Sequence, residues 1–141
     1  MSSGYDNLTP VSYTFPGVNF ATTTTAKMRI PRKATMARVL DILCSATTLF
    51  TQVTTQAQVQ VGDGSTPDIF AALFMGALAA GNTLGGGDST AGVFKAVYLA
   101  GQYNAGAGLH DLVATFVAPT GGTPAGAATV IIVVGYDQIQ P

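Results

Sequence analysis

Thr129-Val130-Ile131-Ile132-Val133-Val134 reads as a β-strand on residue type alone. Every side chain in it is β-branched, and branching at Cβ suits a pleated surface better than a helix. Successive side chains of a strand point to opposite faces. Val130, Ile132 and Val134 therefore make one face apolar, and Ile131 and Val133 do the same for the other. An antiparallel sheet normally turns one face to water and alternates in polarity, so this strand calls for cover on both sides. Leu112, Val113, Phe116 and Val117 show the same two-sidedness one strand earlier. Two layers of the same chain would satisfy it, as would a partner that supplies the second layer. A chain of 141 residues buries a limited share of its surface, which favours the partner.

Composition points the same way. Charged residues make up 9% of the chain, against about 25% in ordinary soluble domains. All seven acidic residues are Asp, while 48% of the chain is apolar. Such a chain exposes apolar surface unless something covers it, and so reads as a component of an assembly. The formal net charge of -1 argues against a dedicated nucleic-acid binder. No secretory signal is expected, since Met-Ser-Ser-Gly-Tyr-Asp lacks a basic start and an apolar stretch. Ile69 to Ala80, the longest apolar stretch, is far short of the ~20 residues that span a bilayer. Cys44 stands alone, which fits a reducing compartment of synthesis and excludes an internal disulfide.

Outward from the final strand, turn signals recur every ten to fifteen residues, the rhythm of an all-β sandwich or barrel. The first ten residues read as an arm, with Tyr5 and Leu8 as anchors, and residues 11–141 as one domain. Val11, Tyr13 and Phe15 alternate with Ser12 and Thr14 in a half-buried strand stopped by Pro16-Gly17, with Val18 to Phe20 as its continuation. Thr25 to Ile30 turns Lys27 and Arg29 outward and Met28 and Ile30 inward. Pro31 ends it, and Arg32-Lys33-Ala34 makes the turn. Thr35 to Ala46 is a longer strand. From Val53 to Val61, Ala57, Val59 and Val61 oppose Gln56, Gln58 and Gln60, and Gly62-Asp63-Gly64 closes the strand. Ser65-Thr66-Pro67-Asp68 has the hydroxyl cap, early Pro and acidic residue of a helix start. Ile69–Ala80 suits a short helix or a strand; one helical turn near residues 66–73 running into an extended segment is expected, because Gly76 and Gly81 interrupt anything longer. Gly85 to Asp88 is a loop. Val93 to Ala100, Leu109 to Val117 and Ala127 to Tyr136 complete the strands.

The residues of reactive type do not combine. His110 and Asp111 are adjacent, so in a strand they point to opposite faces and form no relay. Cys44 lies in an apolar strand as an inert thiol, and no Ser stands in a nucleophile elbow. One Cys and one His are too few for a structural zinc. Asp63-Gly-Ser-Thr-Pro-Asp68 offers oxygens to a hard cation but lacks the alternating ligands and closing Glu of a calcium loop. Gly85 to Gly87 is not followed by the Lys-Ser/Thr of a phosphate cradle. No catalytic residue, metal or cofactor is expected.

Charge is uneven in one place. Lys27, Arg29, Arg32, Lys33 and Arg38 fall within twelve positions, leaving only Lys95 elsewhere. Cations along a strand edge discourage unwanted strand pairing. They also suit docking onto an acidic protein surface, where complementary charge sets orientation and encounter rate. A nucleic-acid groove interleaves aromatics with its cations, and none lies between Phe20 and Phe50.

Three stretches carry a resemblance: Lys27-Met-Arg-Ile-Pro-Arg-Lys-Ala-Thr-Met-Ala-Arg-Val-Leu-Asp-Ile, Val61-Gly-Asp-Gly-Ser-Thr-Pro-Asp68, and Thr115-Phe-Val-Ala-Pro-Thr-Gly-Gly-Thr-Pro-Ala-Gly126 with its Val/Ile strand. In size and strand rhythm the chain resembles the small cement or decoration proteins of tailed bacteriophages, and among them the jelly-roll type. The resemblance implies an antiparallel β-sandwich of jelly-roll topology. It also implies a non-enzymatic structural virion protein, made in the host cytoplasm, that binds the outer capsid surface. Such a protein clamps neighbouring capsomers of the major capsid protein as a homodimer, or alternatively a trimer, without nucleic acid or membrane as partner. No residue-level site comes with it. From the residues themselves, the expected contacts are Tyr5 and Leu8 of the arm, the cations Lys27, Arg29, Arg32, Lys33 and Arg38, and Ile69, Phe70, Phe74 and Met75. The alternative is a phage fibre or carbohydrate-binding β-sandwich, disfavoured because the chain has no Trp and only dispersed Tyr for stacking on sugar rings.

Overall fold

The computed structural model describes residues 8–31, 36–50, 54–62, 71–76, 78–84, 93–94, 96–98 and 111–137. Within them the chain forms ten strands: β1 (Thr9–Asn19), β2 (Thr24–Arg29), β3 (Met36–Thr48), β4 (Gln58–Gly62), β5 (Ala71–Phe74), β6 (Thr83–Leu84), β7 (Val93–Phe94), β8 (Ala96–Tyr98), β9 (Asp111–Val117) and β10 (Ala127–Tyr136). No helix occurs among the described residues. The segment expected to hold a helical turn is extended from Ala71, paired with β4 from Gln58↔Phe74 to Val61↔Ala71; residues 63–70 lie outside the described residues.

Strand pairing follows a nested rule. β1 pairs β10, β2 pairs β9, β3 pairs β8 and β4 pairs β5, all antiparallel. The chain is thus one long two-stranded ribbon with its tip at β4–β5. Wrapping the ribbon brings β10 beside β3 and β9 beside β4. Two five-stranded sheets result. The first runs β1-β10-β3, with β6 and β8 both paired to β3; the second runs β2-β9-β4-β5-β7. This wrapping is the jelly roll, and the β-sandwich is of that type.

The two sheets enclose the core between them. In β10 the inward residues Val130, Ile132 and Val134 have no exposed surface, and in β4 the same holds for Val59 and Val61. One end of the core is aromatic: Phe20 packs edge-on against Phe50 with ring centroids 4.9 Å apart and against Phe116 at 5.8 Å. Phe15 meets Phe116 at 5.4 Å. Toward the other end, the Tyr13 hydroxyl donates to the Arg29 carbonyl at 2.8 Å, joining the first sheet to the second. It accepts in turn from the buried Tyr136 hydroxyl at 2.8 Å. A buried hydroxyl needs such a partner, because leaving it unbonded costs about 1–3 kcal/mol.

Bulges adjust the fit. At Pro16-Gly17 the β1–β10 register shifts and Gly17 takes φ 64°, so the strand bends and continues instead of stopping. Pro is tolerated there because β1 is an edge strand. A second shift lies in β3, where Val39 and Asp41 oppose Val134 and Val133 and Leu40 is the extra residue. Both Leu40 and Asp41 then sit between the inward residues Val39 and Ile42.

Candidate docking faces

The outer face of the second sheet is polar and cationic at its rim. β2 is the edge strand, and its outward Thr25, Lys27 and Arg29 are exposed. In register beside them on β9 stand Thr115, Val113 and Asp111, and beside those on β4 stand Gln60 and Gly62. Gln60 Nε2 donates to Gln58 Oε1 at 3.1 Å, which ties the outward row of β4 along the strand. Thr25, Thr115 and Gln60 form one continuous polar row across three strands.

The outer face of the first sheet differs. Ile131 stands between Thr14 of β1 and Leu43 of β3, and Val133 between Ser12 and Asp41. Ile131, Val133 and Leu43 are half-buried. Leu40 reaches 41% exposure at the bulge, because the extra residue there has no opposite neighbour to lean on. Gly135 lies under it: a Cβ at that position would come 2.9 Å from the Leu8 Cβ and 3.0 Å from Leu40 Cδ1. Leu8 and Leu40 thus both crowd a strand position that holds no side chain. Ser45 and Thr83 share a hydroxyl–hydroxyl hydrogen bond of 3.0 Å at the β6 flank. The Ile42 N–H donates to Asp41 Oδ1 at 2.8 Å.

The expected contact residues divide among these surfaces. Lys27 and Arg29 share the β2 rim as their alternation implied. Arg38 does not join them: it lies in β3, inside the first sheet, opposite Gly135 and Ala96. The wrapping of the ribbon sends β2 and β3 to opposite sheets, so a cluster contiguous in sequence separates in space. Leu8 lies on the first sheet, close to Leu40. Phe74 is half-buried on β5. Met75 corrects its expectation, being 3% exposed within the core with its N–H bonded to the Ala57 carbonyl at 2.9 Å, so it offers no docking contact. Tyr5, Arg32, Lys33, Ile69 and Phe70 lie outside the described residues, as do His110 and the Asp63–Asp68 loop.

The two-sided strand is also partly corrected. Its inner face is covered by the chain's own second sheet, and on its outer face Ala127, Thr129, Ile131 and Val133 stay half-buried. Sequence reasoning missed Leu40 and Leu43, whose outward direction depends on the bulge.

Cys44 faces the core and is fully buried. Burial pushes its thiol up to about 12, which withholds the thiolate that nucleophilic chemistry requires. Burial likewise raises the Tyr136 phenol well above its usual range, and the hydrogen bond with Tyr13 adds to the effect. Among the described residues no three His, Cys, Asp or Glu side chains come together. No known protein-family model matches the chain, and no curated protein matches it.

Proposed function

We propose that this protein is a structural component of a tailed-phage virion, bound to the outside of the capsid shell and stabilising it by bridging capsomers. The observation that carries the proposal is the division of its two outer faces. One carries an apolar stripe with one charge of each sign, Arg38 and Asp41, and the other bears Lys27 and Arg29 along an exposed rim. A protein that must sit on a shell and associate with itself needs two different surfaces of this kind. The jelly-roll wrap and the poverty of charge support the same reading, as does the sequence resemblance to decoration proteins. The cationic rim would meet an acidic patch of the major capsid protein, where complementary charge fixes orientation and speeds encounter.

Co-sedimentation tests this directly. Purified protein mixed with expanded empty shells of the phage that encodes it is expected to pellet with them at a fixed stoichiometry. It should also raise the temperature at which the shells rupture. Protein left wholly in the supernatant, at shell and protein concentrations in the micromolar range, sinks the proposal.

A further inference from the structure

We propose that the outer face of the first sheet is the surface on which a second copy of this chain docks, related by a two-fold axis passing near Ile131. The proposal takes up the self-association contained in the decoration reading, and names the face that performs it.

Three observations choose this face and this occupant. The first is charge. The described outward charges of the first sheet are Arg38 and Asp41, one of each sign on β3, so a copy of the same face brings no net repulsion. The outer face of the second sheet carries Lys27 and Arg29, both exposed, with Asp111 at the register position beside Arg29, so self-docking there would set two net cationic rims together. Like charges facing each other across an interface cost several kcal/mol.

The second is relief. Ile131, Val133, Leu43 and Leu40 stand up among Ser12, Thr14, Thr129 and Ser45. Large side chains alternating with small ones are what two packed sheets interdigitate, at a separation of about 10 Å. Leu40, at 41% exposure, is one of only two exposed large apolar residues among those described. A partner surface removes it from water.

The third is extent. The three long strands β1, β10 and β3, at ~4.8 Å spacing and paired over about ten residues at ~3.4 Å rise, give a face of roughly 490 Å² in plan. Two such faces make about 980 Å², and the accessible area of a corrugated surface exceeds its plan. That reaches the size at which specific interfaces begin, roughly 1,000–1,200 Å² in total. An isologous contact of this kind closes on itself, so it yields a dimer and no filament.

Analytical ultracentrifugation of the full chain, without shells, is the test. The wild type is expected to sediment as a dimer at tens of micromolar. Leu40→Lys and Ile131→Lys, both on the outer face and so compatible with folding, are each expected to raise the dimer dissociation constant at least about a hundredfold, by burying an unpaired charge at the contact. Far-UV circular dichroism should show their fold unchanged, and Lys27→Glu with Arg29→Glu should leave the dimer intact. For the axis, Ile131→Cys in a Cys44→Ala background is expected to be linked as a dimer by a short bis-maleimide reagent, which spans the gap between sheets packed about 10 Å apart, while Thr25→Cys in the same background is not. A strictly monomeric wild type overturns the proposal. So does a dimer that survives Leu40→Lys and Ile131→Lys with the fold intact, or one that cross-links through Thr25→Cys. A dimer with no affinity for shells would leave this surface standing and remove the virion reading instead.

Discussion

Cys44 and Tyr136 set the behaviour of the core toward alkali. Both are held protonated by burial, with Cys44 raised from 9.0 to about 12. A group whose folded value is raised stabilises the native state fully below its unfolded value. That contribution is lost as pH climbs, because the unfolded chain releases the proton first. Stability is therefore expected to be flat up to about pH 8.5 and to fall steadily toward pH 11–12, as followed by thermal melting across that range. A native thiol that reacts with a disulfide reagent at pH 8 as fast as the denatured one would contradict the burial of Cys44. Gly126 is the other decisive residue. It has φ +139°, and a Cβ there would run into the Phe50 ring. Gly126→Ala should cost about 2–4 kcal/mol through backbone strain and overpacking of the aromatic end, read as a drop in denaturation midpoint at unchanged slope.

At the scale of the element, β10 carries most of the argument, because it is central in its sheet and its two faces meet different surroundings. Ile132 is wholly buried while Ile131 is half-exposed. Ile132→Ala is expected to cost about 2–5 kcal/mol as a core cavity forms. Ile131→Thr, in dilute monomer, should cost under about 1 kcal/mol. Equal losses in urea titrations of the two variants would mean that the strand's inward and outward faces have been exchanged. This strand was legible in advance, as were the alternation of Lys27 and Arg29 with Met28 and of the Gln residues with Val59 and Val61, because period-two patterning is local. Bulges are not local. Nothing in Val39-Leu40-Asp41 announces that the register slips there, since the slip answers to Val133 and Val134 some ninety residues on. Leu40 and Leu43 were therefore missed. Met75 was misjudged for a related reason: an apolar run does not say which of its members turns inward.

At the scale of the whole molecule, the nested ribbon governs both folding and attachment. Pairings such as Thr9↔Tyr136 join residues far apart in the sequence, and loop closure must precede any reward from them. Folding is therefore expected in the range of milliseconds to seconds, measurable by stopped-flow fluorescence of the tyrosines; a microsecond phase carrying all the amplitude would not fit this topology. The ribbon also explains why the cationic cluster could be read but not placed. Composition showed five cations close together, while the wrap carried Arg38 away from Lys27 and Arg29. Reversing those two to Glu is expected to weaken shell binding at least tenfold and to flatten its salt dependence, with the melting temperature unchanged. The pairing of β1 with β10 has a mechanical corollary. Tension applied through the residues just before Thr9 and just after Tyr136 would open that pair like a zip, one rung at a time. A load spread across the broad sheets would instead have to shear many rungs together, so the molecule is weak when tugged by its ends and strong when squeezed or dragged by its flanks.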